Sequence, residues 1–212
     1  MSEKRKTQAA LVVRGLQKTF PRAFCELRFK NPLELLIATI LSAQCTDVRV
    51  NLVTEGLFKK LKSAKDFALV PKASLEAMIR STGFFRNKAN SIRRAAQVLL
   101  DRHGGKVPRT MEELLELPGV ARKTANVVLG TAFAIPSGIT VDTHVKRLSY
   151  RMGLTKETDP VKIEKDLMQA VPRAKWIWFG HAMIWHGRQV CDARAPKCPE
   201  CVLKRICPKR GV

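Results

Sequence analysis

The chain has 212 residues, 45% of them hydrophobic, which suffices for one or two folded domains with a real core. Lysine and arginine number 39 against 18 aspartates and glutamates, a formal charge of +21 running from Lys4 to Arg210, so the molecule repels itself and seeks polyanions. That balance points to nucleic acid and away from a membrane surface, because no long basic amphipathic helix with a strong apolar face stands out.

In chain order, Met1 to Thr7 are polar and basic, and the most apolar run, Leu33 to Leu41, is short and interrupted by Glu34. Neither a signal peptide nor a membrane span is expected, which leaves the cytoplasm, the nucleoid or an organelle interior. The apolar pattern is helical nearly throughout and predicts helices near 8–18, 32–43, 47–61, 74–81, 87–103, 111–116, 121–133, 143–152, 160–171 and 176–187. Asn31-Pro32, Asp159-Pro160 and a Thr110/Glu113 capping box mark starts; Gly83, Gly104-Gly105 and Gly187 mark stops. No alternating run of useful length occurs, so the expected fold class is all-α. Breaks near Pro21 and at Ile135-Pro136-Ser137-Gly138 predict two lobes between which the chain crosses twice.

The segment "CDARAPKCPECVLKRIC" holds Cys191, Cys198, Cys201 and Cys207 with spacing C-x6-C-x2-C-x5-C. Four thiols so close together form a metal signature, and disulfides are disfavoured in a reducing compartment. Zinc and iron-sulfur clusters both accept four thiolates, so spacing alone leaves both open. Zinc sites more often pair two C-x2-C knuckles, and the single knuckle here tilts the expectation toward a structural [4Fe-4S] cluster. Its loop would present Arg194, Lys197, Lys204 and Arg205 as a fixed array suited to DNA. Cys25 and Cys45 stand apart and are expected to be small core residues.

In "LPGVARKTANVV" a helix ends near Leu117, Pro118 and Gly119 force a turn, and a new helix begins around Ala121. Unpaired N–H groups and the positive end of the helix dipole can hold a phosphate there. Lys123 is electrostatically unfavourable at that end. The dipole and neighbouring Arg122 both disfavour the ammonium form and so favour a nucleophilic amine. A carboxylate partner is available in "TVDTH" as Asp142. From Lys123 to Phe133 the helix rises about 15 Å, and residues 134–141 can span up to about 26 Å, so the chain is able to return. Asp142 also reads as an ordinary N-cap, and the two roles are compatible.

The motifs "LPGVARKTANVVLG" and "VDTHVKR", followed by the four-cysteine loop, resemble the endonuclease III family of helix-hairpin-helix DNA glycosylases and abasic-site lyases. The similarity runs from "NPLELLIATILSAQCTDVRVN" through "STGFFRNKA" to the cysteines. The resemblance implies a six-helix lobe over 25–135 and a cluster-bearing helical lobe from 1–24 and 136–212. It implies removal of oxidised pyrimidines of the thymine glycol type from duplex DNA, with the damaged nucleotide flipped into a cleft between the lobes. Lys123 would displace the base and form a Schiff base with the opened sugar, Asp142 would stabilise developing positive charge, and β-elimination would cut the strand.

By the same resemblance Gln44 and Phe84 would fill the gap that flipping leaves, with Phe84 standing where relatives commonly carry an aliphatic residue. Phe85 is the alternative wedge. Gly119, Ala121, Arg122 and His144 are the remaining expected DNA contacts. Ala121 is a departure, since the hairpin usually reads G-V-G and the second glycine permits unusual dihedrals. His181 and His186 are read as structural or surface groups. The expected partner is double-stranded DNA with a damaged base or abasic site, bound by a monomer. An adenine glycosylase-like reading would lack the hairpin lysine and would carry a glutamate where this chain has Ile40. A noncatalytic iron-sulfur DNA-binding module would not need Lys123 and Asp142 together.

Overall fold

The computed structural model describes residues 3–212; Met1 and Ser2, the start of the polar N-terminal segment, lie outside the described residues. Every regular element among the described residues is helical. The chain divides into two compact units: Glu26–Ile135 forms one, and Met1–Cys25 with Pro136–Val212 forms the other.

Within Glu26–Ile135 the centre is α2 (Pro32–Leu41). Asn31 caps it by accepting from the Glu34 N–H, Pro32 sits in its first turn, and every residue from Leu35 to Leu41 is buried. A helix apolar on all sides belongs inside a lobe, with others laid around it. Around α2 lie α3 (Asp47–Lys60), α6 (Phe85–His103) and α8 (Arg122–Phe133), and α8 is itself buried from Thr124 to Gly130. Helix α6 is amphipathic, burying Ala89, Ile92, Ala96 and Leu99 on one stripe. Two short helices, α4 (Ala64–Leu69) and α5 (Lys72–Ile79), pack on it, and α7 (Met111–Leu115) packs on α8. Full burial of each Leu or Ile contributes about 1.5–3 kcal/mol, so this apolar centre holds the lobe together.

Helix α4 was not expected from the apolar period, because six residues are too few to show one. Its signal is local chemistry: the Ser63 hydroxyl accepts from the Asp66 N–H, and the Asp66 carboxylate accepts in return from the Ser63 N–H. A bond from the Lys62 N–H, followed by those from Ser63, holds the Asp66 carboxyl below its usual value. At α7 the expected Thr110/Glu113 pairing takes a different form. The Thr110 hydroxyl accepts from the Glu113 N–H and donates to the Glu113 carboxylate at 2.6 Å.

The other unit is built from α1 (Glu3–Thr19), α9 (Thr143–Arg151), α10 (Pro160–Ala170) and α11 (Trp176–Gln189). Its core joins Val12 and Leu16 of α1, Val145 and Leu148 of α9, Ile163 and Leu167 of α10, and Phe179 and Met183 of α11. Helix α1 begins several residues before the apolar pattern does, because its first turns are polar and solvated.

Two expectations need correction here. Gly187 is not a stop, since α11 continues through it to Gln189; it is a glycine because a Cβ there would lie 2.8 Å from His144 Nδ1 and 2.9 Å from His144 Cβ. Cys25 and Cys45 are half-buried rather than core residues.

Candidate functional site

The hairpin lies in the Glu26–Ile135 unit. After α7, the Leu117 N–H bonds to the Leu114 carbonyl and the Val120 N–H to that of Leu117, closing a tight turn around Pro118 and Gly119. Gly119 has φ +82, and a Cβ on it would stand 2.6 Å from Ser91 Cβ, so conformation and space both demand glycine. Ala121 is the N-cap of α8 at φ −96 and ψ 170, ordinary extended backbone. The dihedral reason for a second glycine is therefore absent in this chain. Because Ala121 supplies no side-chain cap, the first N–H groups of α8 keep the anion-binding capacity of an uncapped helix start. Lys123 is exposed in the first turn of this helix, and Arg122 beside it is half-buried.

In the same unit Gln44 and Phe84 are both exposed, with φ of +53 and +48. Left-handed backbone is uncommon for a bulky side chain and is sustained only where the surroundings fix it. Phe84 is 61% exposed and forms the N-cap of α6, whereas Phe85 is half-buried with the Arg86 guanidinium 5.6 Å from its ring centre. Phe84 is thus the ring that projects.

Asp142 and His144 belong to the other unit. Asp142 is the N-cap of α9, its Oδ1 accepting from the Val145 N–H at 2.8 Å, which sets the carboxylate at the helix start. The His144 ring lies against Gly187, with Nδ1 3.2 Å from Arg147 Nη2. Burial depresses the His144 ring below the usual histidine value; Asp142 opposes this, while Arg147 and Arg188 reinforce it.

The four C-terminal cysteines line one cavity together with Arg151, His186, Lys197 and Lys204. Burial pushes the Cys201 and Cys207 thiols up, the Leu203 and Lys209 N–H groups respectively oppose this, and the neighbouring cysteines raise them further. Buried Arg151 organises the loop from beneath. Its Nη1 donates to the Asp192 carbonyl at 2.6 Å and lies 3.4 Å from Cys191 Sγ, and its Nη2 donates to the Ala193 carbonyl at 2.8 Å. His186 is buried, and burial lowers its ring to about 4; its Nε2 lies 3.6 Å from Cys201 Sγ. His181 is buried as well, so both histidines are interior groups.

A sequence model of the HhH-GPD superfamily of base excision DNA repair proteins matches residues 37–173. An endonuclease III of Synechocystis sp. is 53% identical over 204 residues, covering 96% of this chain and 93% of that protein. The chain belongs to the endonuclease III family. Two solved structures agree, each 46% identical and covering 99% of this chain and 97% of theirs. One is a non-covalent Endonuclease III-DNA complex at a TM-score of 0.91, the other a trapped Endonuclease III-DNA covalent intermediate at 0.92.

In this endonuclease III family member Arg147, Arg151 and Lys88 hold positions that the sequence motifs did not mark. The first two were legible, because His144, Arg147 and Arg151 fall three and four residues apart and so share one face of α9. That face meets α11 at the Gly187 carbonyl and the cysteine loop at the Cys191 carbonyl, both of which accept from Arg147. Nothing in its own spacing distinguishes Lys88 from the many other lysines. Among the described residues no helix is long and apolar enough to cross a membrane.

Proposed function

We propose that this base excision repair enzyme removes oxidised pyrimidines of the thymine glycol type from duplex DNA and cuts the strand at the resulting abasic site. Lys123 is the nucleophile. Its amine attacks C1′ of the flipped nucleotide, the bond from C1′ to the base breaks, and the base departs with a proton. Ring opening gives a Schiff base between C1′ and Nζ. Loss of a C2′ proton then expels the 3′ phosphate as leaving group, and water releases the unsaturated sugar aldehyde from Lys123. Asp142 stabilises positive charge developing on the sugar and assists the proton transfers. The uncapped start of α8, with Gly119, Ala121 and Arg122, holds a phosphate beside Lys123. His144 contacts the DNA backbone, and Gln44 and Phe84 occupy the gap in the stack.

The observation that carries this reading is an exposed lysine in the first turn of α8, in a chain alike end to end to a protein trapped covalently on DNA. A covalent intermediate needs a nucleophile, and Lys123 supplies an accessible amine.

Cys191, Cys198, Cys201 and Cys207 fit a [4Fe-4S] cluster. Their thiols line one cavity, as a centre held by four thiolates requires. Zinc sites more often pair two C-x2-C knuckles, and the single knuckle here favours a cluster. When bound, the cluster supplies four metal-thiolate bonds that fix the loop carrying Arg194, Lys197, Lys204 and Arg205.

Borohydride reduction tests the chemistry. The wild-type protein is expected to give a covalent adduct with duplex DNA holding thymine glycol, and Lys123→Gln to give none while still binding that DNA. A wild-type protein that binds but forms no adduct overturns the lysine mechanism. A persistent adduct in Lys123→Gln overturns the choice of residue.

A further inference from the structure

Lys88, on the buried face of α6, is only 5% exposed. Its ammonium donates to the Leu41 carbonyl at 2.7 Å and to the Thr82 carbonyl at 2.8 Å. Among the described residues it thus meets carbonyl oxygens rather than a carboxylate. Burial holds the ammonium below the usual lysine range, with Cys45 acting in the opposite direction. A buried cation without a counter-charge is a costly way to satisfy two carbonyls.

The two carbonyls are not a random pair. Leu41 is the last residue of α2, and the turn that follows it carries Gln44. Thr82 ends a 3-10 turn, Arg80–Thr82, and Gly83 and Phe84 come next. Lys88 therefore bridges the roots of two turns, each displaying an exposed non-glycine residue in left-handed backbone. Joined through one nitrogen atom, the turns cannot shift independently. The negative end of the α2 dipole also favours a cation at Leu41, which explains a positive group there but not the second bond to Thr82.

We infer that Lys88 is a positioning residue that holds the Gln44 and Phe84 turns at one fixed separation, so that both side chains enter the gap left by a flipped nucleotide together. This rests on the reading of Gln44 and Phe84 as gap fillers.

The test compares strand cleavage by Lys88→Met at an abasic site in duplex DNA and in single-stranded DNA. A single strand has no opposing base and no duplex stack to fill. Misplacing a positioned group by about 1 Å costs up to about 100-fold, so duplex cleavage should slow by at least about tenfold while the single-strand rate stays within about twofold. In a Gln44→Ala/Phe84→Ala background Lys88→Met should cause no further loss on duplex. Lys88→Gln, which retains a donor for one carbonyl, should recover part of the duplex rate.

Equal losses on both substrates, or an unchanged duplex rate, overturn the inference. Failure of both Lys88 variants to fold assigns Lys88 to stability alone and overturns it too. A wild-type protein that cleaves neither substrate speaks instead against the lyase reading, so the two failures are distinguishable.

Discussion

Gly187 in α11 leaves no room for a methyl group against His144 in α9, since an added Cβ would approach His144 Cβ to 2.9 Å and Nδ1 to 2.8 Å. The first of these atoms is tied to the backbone, so a rotamer change alone cannot relieve the clash. Gly187→Ala should therefore separate the two helices at a cost of about 1–3 kcal/mol. In a chain of this size that lowers the melting temperature by roughly 2–4 °C per kcal/mol, readable by calorimetry. A variant melting with the wild type would mean that α9 and α11 pack more loosely than this.

The observed cap and the proposed catalytic role of Asp142 separate by substitution. Asparagine caps a helix about as well as aspartate, so Asp142→Asn should keep the bond to the Val145 N–H and change stability by only a few tenths of a kcal/mol. If Asp142 acts as proposed, base removal should nevertheless slow by about 100-fold or more, because the charge assigned to steady the sugar is gone. Asp142→Ala should lose both, with about 1 kcal/mol of stability added to the same kinetic defect. Comparable glycosylase rates for wild type and Asp142→Asn would reduce Asp142 to a cap.

How far the sequence announced these features follows the range of the forces involved. Amphipathic helices such as α6 and α10 were legible because an apolar face repeats over several turns, and Asn31, Thr110 and Asp159 marked starts because caps act within three residues. Helix α4 was hidden because six residues carry no period, although Ser63 and Asp66 spelled its cap. Gly187 was misread because a glycine at a helix stop and one at a close approach look alike until α9 is known to lie beside it. Candidate residues carried by local motifs, including Lys123, Asp142 and the cysteines, were named directly. Lys88 was not, because its meaning depends on two carbonyls 47 and 6 residues away.

The hairpin predicts an asymmetry between its two departures from free choice. Ala121 occupies ordinary extended backbone, so Ala121→Gly should leave DNA affinity within about twofold and cost about 0.4–1 kcal/mol by loosening the unfolded chain. Gly119→Ala meets both a positive φ and the Ser91 Cβ, so it should cost at least about 1–3 kcal/mol and weaken binding to abasic-site DNA. Fluorescence anisotropy at fixed salt reads the affinities, since phosphate contacts make them salt-dependent. A large gain in affinity for Ala121→Gly would show that close backbone approach, not the dihedral, is what alanine denies.

Arg151 offers the sharpest test of how the cysteine loop is held. Its two terminal nitrogens reach the Asp192 and Ala193 carbonyls and Cys191 Sγ, while its own carbonyl accepts from the Arg210 N–H at 3.2 Å and from Cys207 Sγ at 3.5 Å. The planar guanidinium spans these acceptors as a fork, whereas the ammonium of lysine donates from a single point. Arg151→Lys should therefore leave at least one loop carbonyl without its donor, at about 1–3 kcal/mol, and loosen the chain between Cys191 and Cys198. With the proposed cluster bound, the expected outcome is less iron per protein and faster bleaching of its visible absorbance under a chelator. Iron content and bleaching rate equal to wild type would show that the four thiolates hold the loop without help from Arg151.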